Sequence, residues 1–268
     1  MAPAGQVKGA VGSRAPLRVE SCVPVAVVMP AWNEAEGIVE FLTELNDSLR
    51  VWEPVFIVVD DCSSDDTAAV VRRFAESGVN AVVHVNEVNS GHGPSTLTAL
   101  RLGLEAEPAA VIAIDGDGQF TGDDVRRVVS VITSGVADVV EGVRTRRNDP
   151  LYRRAVTGTT RALVWSRSRS MPQDANTPLR AYEPKVLQRL LGAVPDASLT
   201  PNLFISALSR SWGLRVIEVP VISLPRRGST QQGSTWGKSR QSLPSKRFVR
   251  FCTKAMSDWA RTPIRGSR

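Results

Sequence analysis

Short apolar runs rich in β-branched residues alternate with amphipathic segments through the first half of the chain. Val23 to Met29 reads as a buried strand. Glu34 to Arg50 follows as a helix, with Ile38, Phe41, Leu42, Leu45 and Leu49 on one side. Val55 to Val59 reads as a second strand, and Asp65 or Asp66 can cap a helix running to about Ser77. Ala81 to Val85, then Pro94 to Glu105, make a third strand and a helix with Pro in its first turn. Val111 to Ile114 is a fourth strand that stops at Asp115. Asp123 to Ser134 is helical, and Asp138 to Glu141 is a short strand. This alternation predicts an α/β fold: a mostly parallel sheet with helices on both faces and a ligand at the carboxyl ends of the strands.

The second half is less regular. Pro150 to Ser168 reads as a basic helix and Gln173 to Tyr182 as a polar connection. Glu183 to Leu191 and Leu199 to Trp212 read as helices. Arg215 to Leu224 reads as a strand or hairpin interrupted by Pro220. Arg226 to Ser242 is a Gly/Ser/Thr/Gln-rich loop, and Ser245 to Ala260 can form a last helix. We expect a disordered leader over residues 1–22, one domain over 23–240 and a basic amphipathic tail over 241–268.

Composition sharpens this picture at three points. Three cysteines, Cys22, Cys62 and Cys252, form neither a CxxC pair nor a disulfide framework, which fits a reducing compartment. Two histidines, His84 and His92, argue against a multi-His zinc site and leave little material for a Ser/His/Asp hydrolase. The net charge of +6 is concentrated at one end, because residues 226–268 hold eleven Lys/Arg against the single acid Asp258. Phe248, Val249, Phe251, Cys252, Ala255, Met256 and Trp259 interleave there with Lys246, Arg247, Arg250 and Lys254. That pattern suits either a helix docked on the domain or an interfacial helix on an anionic membrane surface. The basic tail lacks any recognised nucleic-acid module. No signal peptide and no apolar run of about 18 residues is present. The expected location is cytoplasmic, peripheral on the cytosolic face of the membrane.

Candidate chemistry lies where strands stop. One acidic cluster is Asp60-Asp61-Cys62-Ser63-Ser64-Asp65-Asp66-Thr67, and the other is Asp115-Gly116-Asp117-Gly118-Gln119. Alternate carboxylates with an amide oxygen suit a hard ion, Mg2+ or Mn2+, which keeps open positions for substrate phosphates. Asp/Gly turns that cap the next helices are the plainer reading. An EF-hand is rejected, since Arg126 stands where its twelfth-position acid belongs. The loop Asn89-Ser90-Gly91-His92-Gly93-Pro94 is no P-loop, but it can bring backbone close to a sugar or phosphate at a helix start. His84 reads as strand-packed, and Cys62 as a packed small residue rather than a nucleophile.

These runs resemble the family 2 glycosyltransferases. Val27 to Glu34 is similar to their V-P-x-Y-N-E, Val58 to Thr67 to V-D-D-G-S-x-D-x-T, Asn89 to Gly93 to N-x-G-x-G, and Asp115 to Gln119 to D-A-D-G-Q. Order and spacing agree as well. Within the family the likeness is greatest to polyprenyl-phosphate sugar synthases such as dolichol-phosphate mannosyltransferase. It is strong over residues 23–145 and patchier to about 240.

The resemblance implies a GT-A, Rossmann-like fold and a nucleoside-diphosphate sugar, GDP- or UDP-linked, as donor. Carried over residue by residue, Pro30, Trp32 and Glu34 would line the nucleoside pocket, with Asp60 and Asp61 at the base and Asn89 and Gly91 nearby. Asp115, Asp117 and Gln119 would hold metal and diphosphate. Arg144 matches the G-S-R arginine, and Arg153 and Arg154 match a basic pair that precedes a Ser. Asp174 and Arg180 fall on D-x-x-S-G-F-R, and Arg227 lies near R-x-x-G-x-S on a loop expected to close over the donor. Three motifs depart from the family: Cys62 stands for Gly, residues 174–180 alter the acceptor-side signature, and residues 226–238 alter the loop. The Q-x-x-R-W of processive synthases is absent.

The expected reaction is inverting transfer to a polyprenyl phosphate, with Asp117, Asp174, Arg144 and Arg154 as the catalytic set. An anionic phosphate needs no strong base, and Arg144, Arg153, Arg154 and Arg161 would serve it. A hydroxyl acceptor would need a base, for which Asp174 is the best-placed candidate. A nucleotidyltransferase would carry a Gly-rich phosphate loop with a basic residue, which Pro30 to Gly37 lacks. An inactive binding module would have lost the carboxylates that Asp115 and Asp117 retain.

Overall fold

The structure, a computed structural model, describes residues 24–145, 151–228 and 246–263; the side chains of 151–154 and 246–248 lie outside that set. The expected leader at 1–22 and most of the 226–242 loop also fall outside it. Among the described residues the strands form one seven-stranded sheet. In chain order they are β1 (Val25–Ala31), β2 (Val55–Asp60), β3 (Ala81–Val85), β4 (Ala110–Ala113), β5 (Val139–Thr145), β6 (Arg180–Tyr182) and β7 (Val216–Ile222). Their spatial order is β3-β2-β1-β4-β6-β5-β7. All pairs are parallel except those of β6, which runs antiparallel to both β4 and β5.

The helices are α1 (Ile38–Leu49), α2 (Thr67–Glu76), α3 (His92–Glu105), α4 (Gly122–Thr133), α5 (Leu151–Ser168), α6 (Pro184–Leu191), α7 (Pro201–Ser211) and α8 (Lys246–Arg261). Period-two alternation along β1 divides the core. Val25, Val27 and Met29 face α1 and α4, while Ala26 and Val28 face α3, α6 and α7. Every residue of β1 and β4 is buried, as strands covered on both faces require.

Three expectations change. The polar connection 173–182 contains β6, a strand too short for a periodic signal, whose first residue is a buried arginine. Pro220 does not interrupt a hairpin. It sits within one edge strand, β7, which pairs only with β5, so its missing N–H is tolerated. The helix expected from Glu34 begins at Ile38, after a turn in which Gly37 and Ile38 donate to the Glu34 carbonyl. That turn leaves the Glu34 side chain outside the helix, at the sheet edge.

The C-terminal helix α8 docks on the domain at its far end. Trp259 is buried, with its ring 5.0 Å from that of Phe204 on α7. The Arg167 guanidinium of α5 lies 4.4 Å from the Trp259 ring and donates to the carbonyls of Trp259 and Thr262. Val249 and Met256 remain exposed on the same helix. Trp259→Ala should therefore cost about 3–5 kcal/mol. Thermal melts should fall accordingly, and limited proteolysis should cut α8 first. An unchanged melting temperature would contradict the docking.

Candidate active site

Four loops converge at the carboxyl ends of β1, β2, β3 and β4. The first two are joined side chain to backbone. Asn33, held at φ 55°, accepts at Oδ1 from the Ser64 amide (2.9 Å), and its own amide donates to Ser63 Oγ (2.9 Å). The Glu34 amide donates to Thr67 Oγ1 (2.9 Å) and the Ala35 amide to Asp65 Oδ2 (3.2 Å). Asn33, Ser63, Asp65 and Thr67 thus do structural work that had no reading from periodicity. Their signal was the fixed spacing of short polar side chains in two turns.

Asp60 and Asp61 are buried and occupied by such bonds. Asp60 Oδ1 accepts from the Ser63 amide (3.0 Å) and the Ser63 hydroxyl. Asp61 accepts from Asn86 Nδ2 (2.9 Å), the Ser90 amide (2.8 Å) and the Gly91 amide (2.8 Å), and its carbonyl accepts from Asn89 Nδ2 (3.0 Å). Asp61 therefore sets the shape of the 86–91 loop. Gly91, at φ 88°, leads into α3, a backbone that favours glycine. Cys62 is exposed rather than packed and sits at φ 57°, which explains why a glycine suits this position. His84, expected to pack, is exposed on β3, which lies at the sheet edge.

Asp115 and Asp117 sit on the turn after β4, beside Pro30 and Ala31. A Cβ on Gly116 would lie 3.2 Å from both Ala31 Cβ and the Pro30 carbonyl oxygen, so glycine permits this approach. His92 Nε2 is 3.6 Å from Asp115 Oδ1, and Arg226 Nε is 3.7 Å from Asp117 Oδ2. Burial, and then the charge of Asp115, push the Asp117 carboxyl up to about 8, against the Gln119 amide and the Arg144 charge, which pull it down. Trp32 is half-buried and Pro30 and Glu34 are buried at the same edge.

A model of the family described as "Glycosyl transferase family 2" matches residues 26–191. The chain belongs to glycosyl transferase family 2. It is a nucleotide-sugar-dependent glycosyltransferase with the GT-A fold. It is 26% identical, over 93% of its length and 71% of the relative's, to undecaprenyl-phosphate 4-deoxy-4-formamido-L-arabinose transferase of Sodalis glossinidius. Its fold is like that of a mannosyltransferase from Pyrobaculum calidifontis solved with GDP-Man and Mn2+ (TM-score 0.53, 20% identity, 87% of this chain and 69% of that one). It is also like glucosyl-3-phosphoglycerate synthase from Mycobacterium tuberculosis (TM-score 0.58, 18% identity, 91% and 82%).

The donor set fits a divalent ion as a family 2 site would. Two neighbouring carboxylates, one of them pushed toward its neutral form by burial and then by its neighbour's charge, would gain from a cation. Among the described residues no group of three or more His, Cys, Asp or Glu is placed to hold one metal ion, so diphosphate oxygens and water would complete the shell. Gln119 also pins the segment after β7. Its Nε2 donates to the Leu224 carbonyl (3.0 Å), and its own carbonyl accepts from the Leu224 amide (2.8 Å).

Arg144, whose charge is felt at Asp117, forms a bidentate pair with Asp174 (2.7 and 3.0 Å) and donates to the Asn176 carbonyl (3.2 Å). Several expected site residues lie elsewhere. Arg180 is fully buried, with its guanidinium on Glu141 and two carbonyls, so no ligand reaches it. Arg227 faces α1, where Glu40 and Glu44 hold it 5.2 Å from the Phe41 ring. Its neighbour Arg226, partnered by Glu34, is the guanidinium turned to the carboxylates. Arg161 ties α5 to the Pro172 carbonyl (2.8 Å). Arg153 and Arg154 fall in the first turn of α5, with side chains outside the described set.

Asp117 gives a pH test. Its carboxyl titrates at 3.8 unperturbed and about 8 in the fold. Its contribution to stability is fully present below the lower value and is lost as pH rises toward the upper one. In EDTA, melts of wild type minus Asp117→Asn should fall across pH 4–8 by at most about 1.4 kcal/mol per pH unit. Millimolar Mn2+ should reverse the loss in wild type alone. Parallel curves for the two proteins would contradict the assignment.

Proposed function

We propose that this family 2 enzyme moves a sugar from a GDP- or UDP-linked donor to a polyprenyl-phosphate acceptor, at an anionic membrane surface and with Mg2+ or Mn2+. The observation that carries the reading is the Arg144–Asp174 pair, whose guanidinium charge is felt at Asp117. The one candidate base is held in both oxygens by a guanidinium, which makes it a poor proton acceptor, while the guanidinium itself suits a phosphate. The undecaprenyl-phosphate transferase relatives support the same acceptor class. The charge pattern supports the surface. Arg250 and Lys254 are exposed beside Val249 and Met256, opposite the docked end of α8. Among the described residues no helix is long and apolar enough to cross a membrane.

The divalent ion, when bound, offsets charge on the departing diphosphate. Asp115 and Asp117 would hold it, and Gln119 steadies the turn that carries them, its amide donating to Asp117 Oδ1 (3.2 Å). Pro30, Trp32, Glu34, Asp60, Asp61, Asn89 and Gly91 bound the nucleoside pocket. Arg226, on the strength of its position, takes the diphosphate role expected of Arg227. Arg144, with Arg153 and Arg154, orients the acceptor phosphate. A phosphate oxygen then bonds to the anomeric carbon from the face opposite the diphosphate. The bond to the diphosphate breaks with its electron pair, and configuration inverts. No proton need move, because the attacking phosphate is already ionised.

Transfer of labelled sugar to undecaprenyl phosphate tests this. Asp117→Asn should lower turnover at least about a hundredfold. Asp174→Asn should raise the acceptor Michaelis constant by loosening Arg144. Loss of all transfer in Asp174→Asn, together with transfer to a hydroxyl acceptor by wild type, would favour the second reading, in which Asp174 is the base. Binding to phosphatidylglycerol vesicles should fall steeply between about 50 and 500 mM salt. Vesicle binding indifferent to salt would remove the surface from the account.

A further inference from the structure

Arg180 has no exposed surface, yet its guanidinium makes three bonds. Nη1 donates to Glu141 of β5 (2.8 Å), Nη2 to the Ala175 carbonyl (2.8 Å) and Nε to the Thr177 carbonyl (3.0 Å). Glu141 also accepts from Arg210 of α7 (2.7 Å), and Arg210 donates to Glu218 of β7 (2.9 Å). Glu218 in turn accepts from the Gln173 amide and side chain (2.8 Å each). The segment 173–177 is thus gripped from the sheet at residues 173, 175 and 177. Between the grips lie Asp174 and Asn176, the two residues that hold Arg144. Positions 173, 175 and 177 are tied to the frame and positions 174 and 176 to Arg144, in a segment that turns at residues 175–176.

Stability alone does not explain a buried pair here. Apolar residues of similar volume usually serve a core at least as well as a desolvated ion pair. What they cannot do is hold two carbonyls and a carboxylate in one plane, which a guanidinium fork does and an ammonium does not. We propose that Arg180 is a positioning residue, which acts through segment 173–177 to fix the Arg144 guanidinium for the attacking phosphate. The consequence for turnover rests on the acceptor reading above; the positioning of Arg144 does not.

Two variants test it: Arg180→Lys, and the double variant Arg180→Met/Glu141→Leu, which removes the ion pair without leaving a buried charge alone on either residue. Where Arg180→Lys fails to fold, the double variant decides. Phenylglyoxal labelling with peptide mass spectrometry reads the Arg144 guanidinium directly, with the exposed Arg126 as internal control. Both variants should label Arg144 about fivefold faster or more, with Arg126 unchanged, because its restraint is gone. Mn2+-dependent binding of UDP- and GDP-sugars should stay within about twofold, while turnover falls at least about tenfold. If the double variant keeps wild-type melting temperature, Arg144 labelling and turnover, Arg180 is a strut and the proposal is overturned. If labelling rises but wild type transfers to no polyprenyl phosphate, the acceptor reading fails and the positioning stands.

Discussion

Carboxylates crowd the edge where β1, β2 and β4 end, and the site depends on how each is compensated. Asp60 and Asp61 are answered by the protein itself, through Ser63 and through the 86–91 loop. They fold the walls. Asp115 and Asp117 lie close enough for one to raise the other's proton affinity; an imidazole lies 3.6 Å from Asp115 and a guanidinium 3.7 Å from Asp117. A part-buried like-charge pair of this kind would gain from a divalent ion and a diphosphate. Four chemically similar residues thus divide into two that shape the walls and two that we propose hold an ion, and their partners make the difference.

Arginines are sorted the same way. Arg144 is aimed by a bidentate carboxylate, Arg226 reaches the carboxylates across the loop after β7, and Arg227 is drawn to α1 by Glu40 and Glu44. Arg180 and Arg210 form a sealed frame with Glu141 and Glu218. Arg180 holds Glu141's carboxyl below its usual range despite burial, which otherwise raises it, with the Arg210 bond adding to the effect. Charge is therefore retained in the interior where it can define direction, and the bonded segment 173–177 joins it to Arg144.

Much of the fold was legible in the sequence because β1 to β4 are apolar runs that end close to Asp or Asn, and the helices between them carry clear one-sided stripes. β6 was not, since three residues give no period and the buried Arg180 reads as surface until its partner is known. Pro220 suggested a break that an edge strand tolerates. The site positions at strand ends could be read from carboxylate spacing and from the family resemblance. Side-chain direction could not. Nothing in Arg226-Arg227 says which faces the carboxylates, because that depends on Glu40 and Glu44, far earlier in the chain. The docking of Trp259 likewise depends on Arg167 and Phe204, which no local pattern links to the tail.

We propose that Asp115 and Asp117 make nucleotide-sugar binding depend on a divalent ion. Isothermal titration of the full chain with UDP- and GDP-linked sugars, in Mn2+ and then in EDTA, tests it without an acceptor. The account requires one of the two nucleotides to bind in Mn2+ and to lose at least about a hundredfold in affinity in EDTA. Equal affinity in both conditions would contradict it.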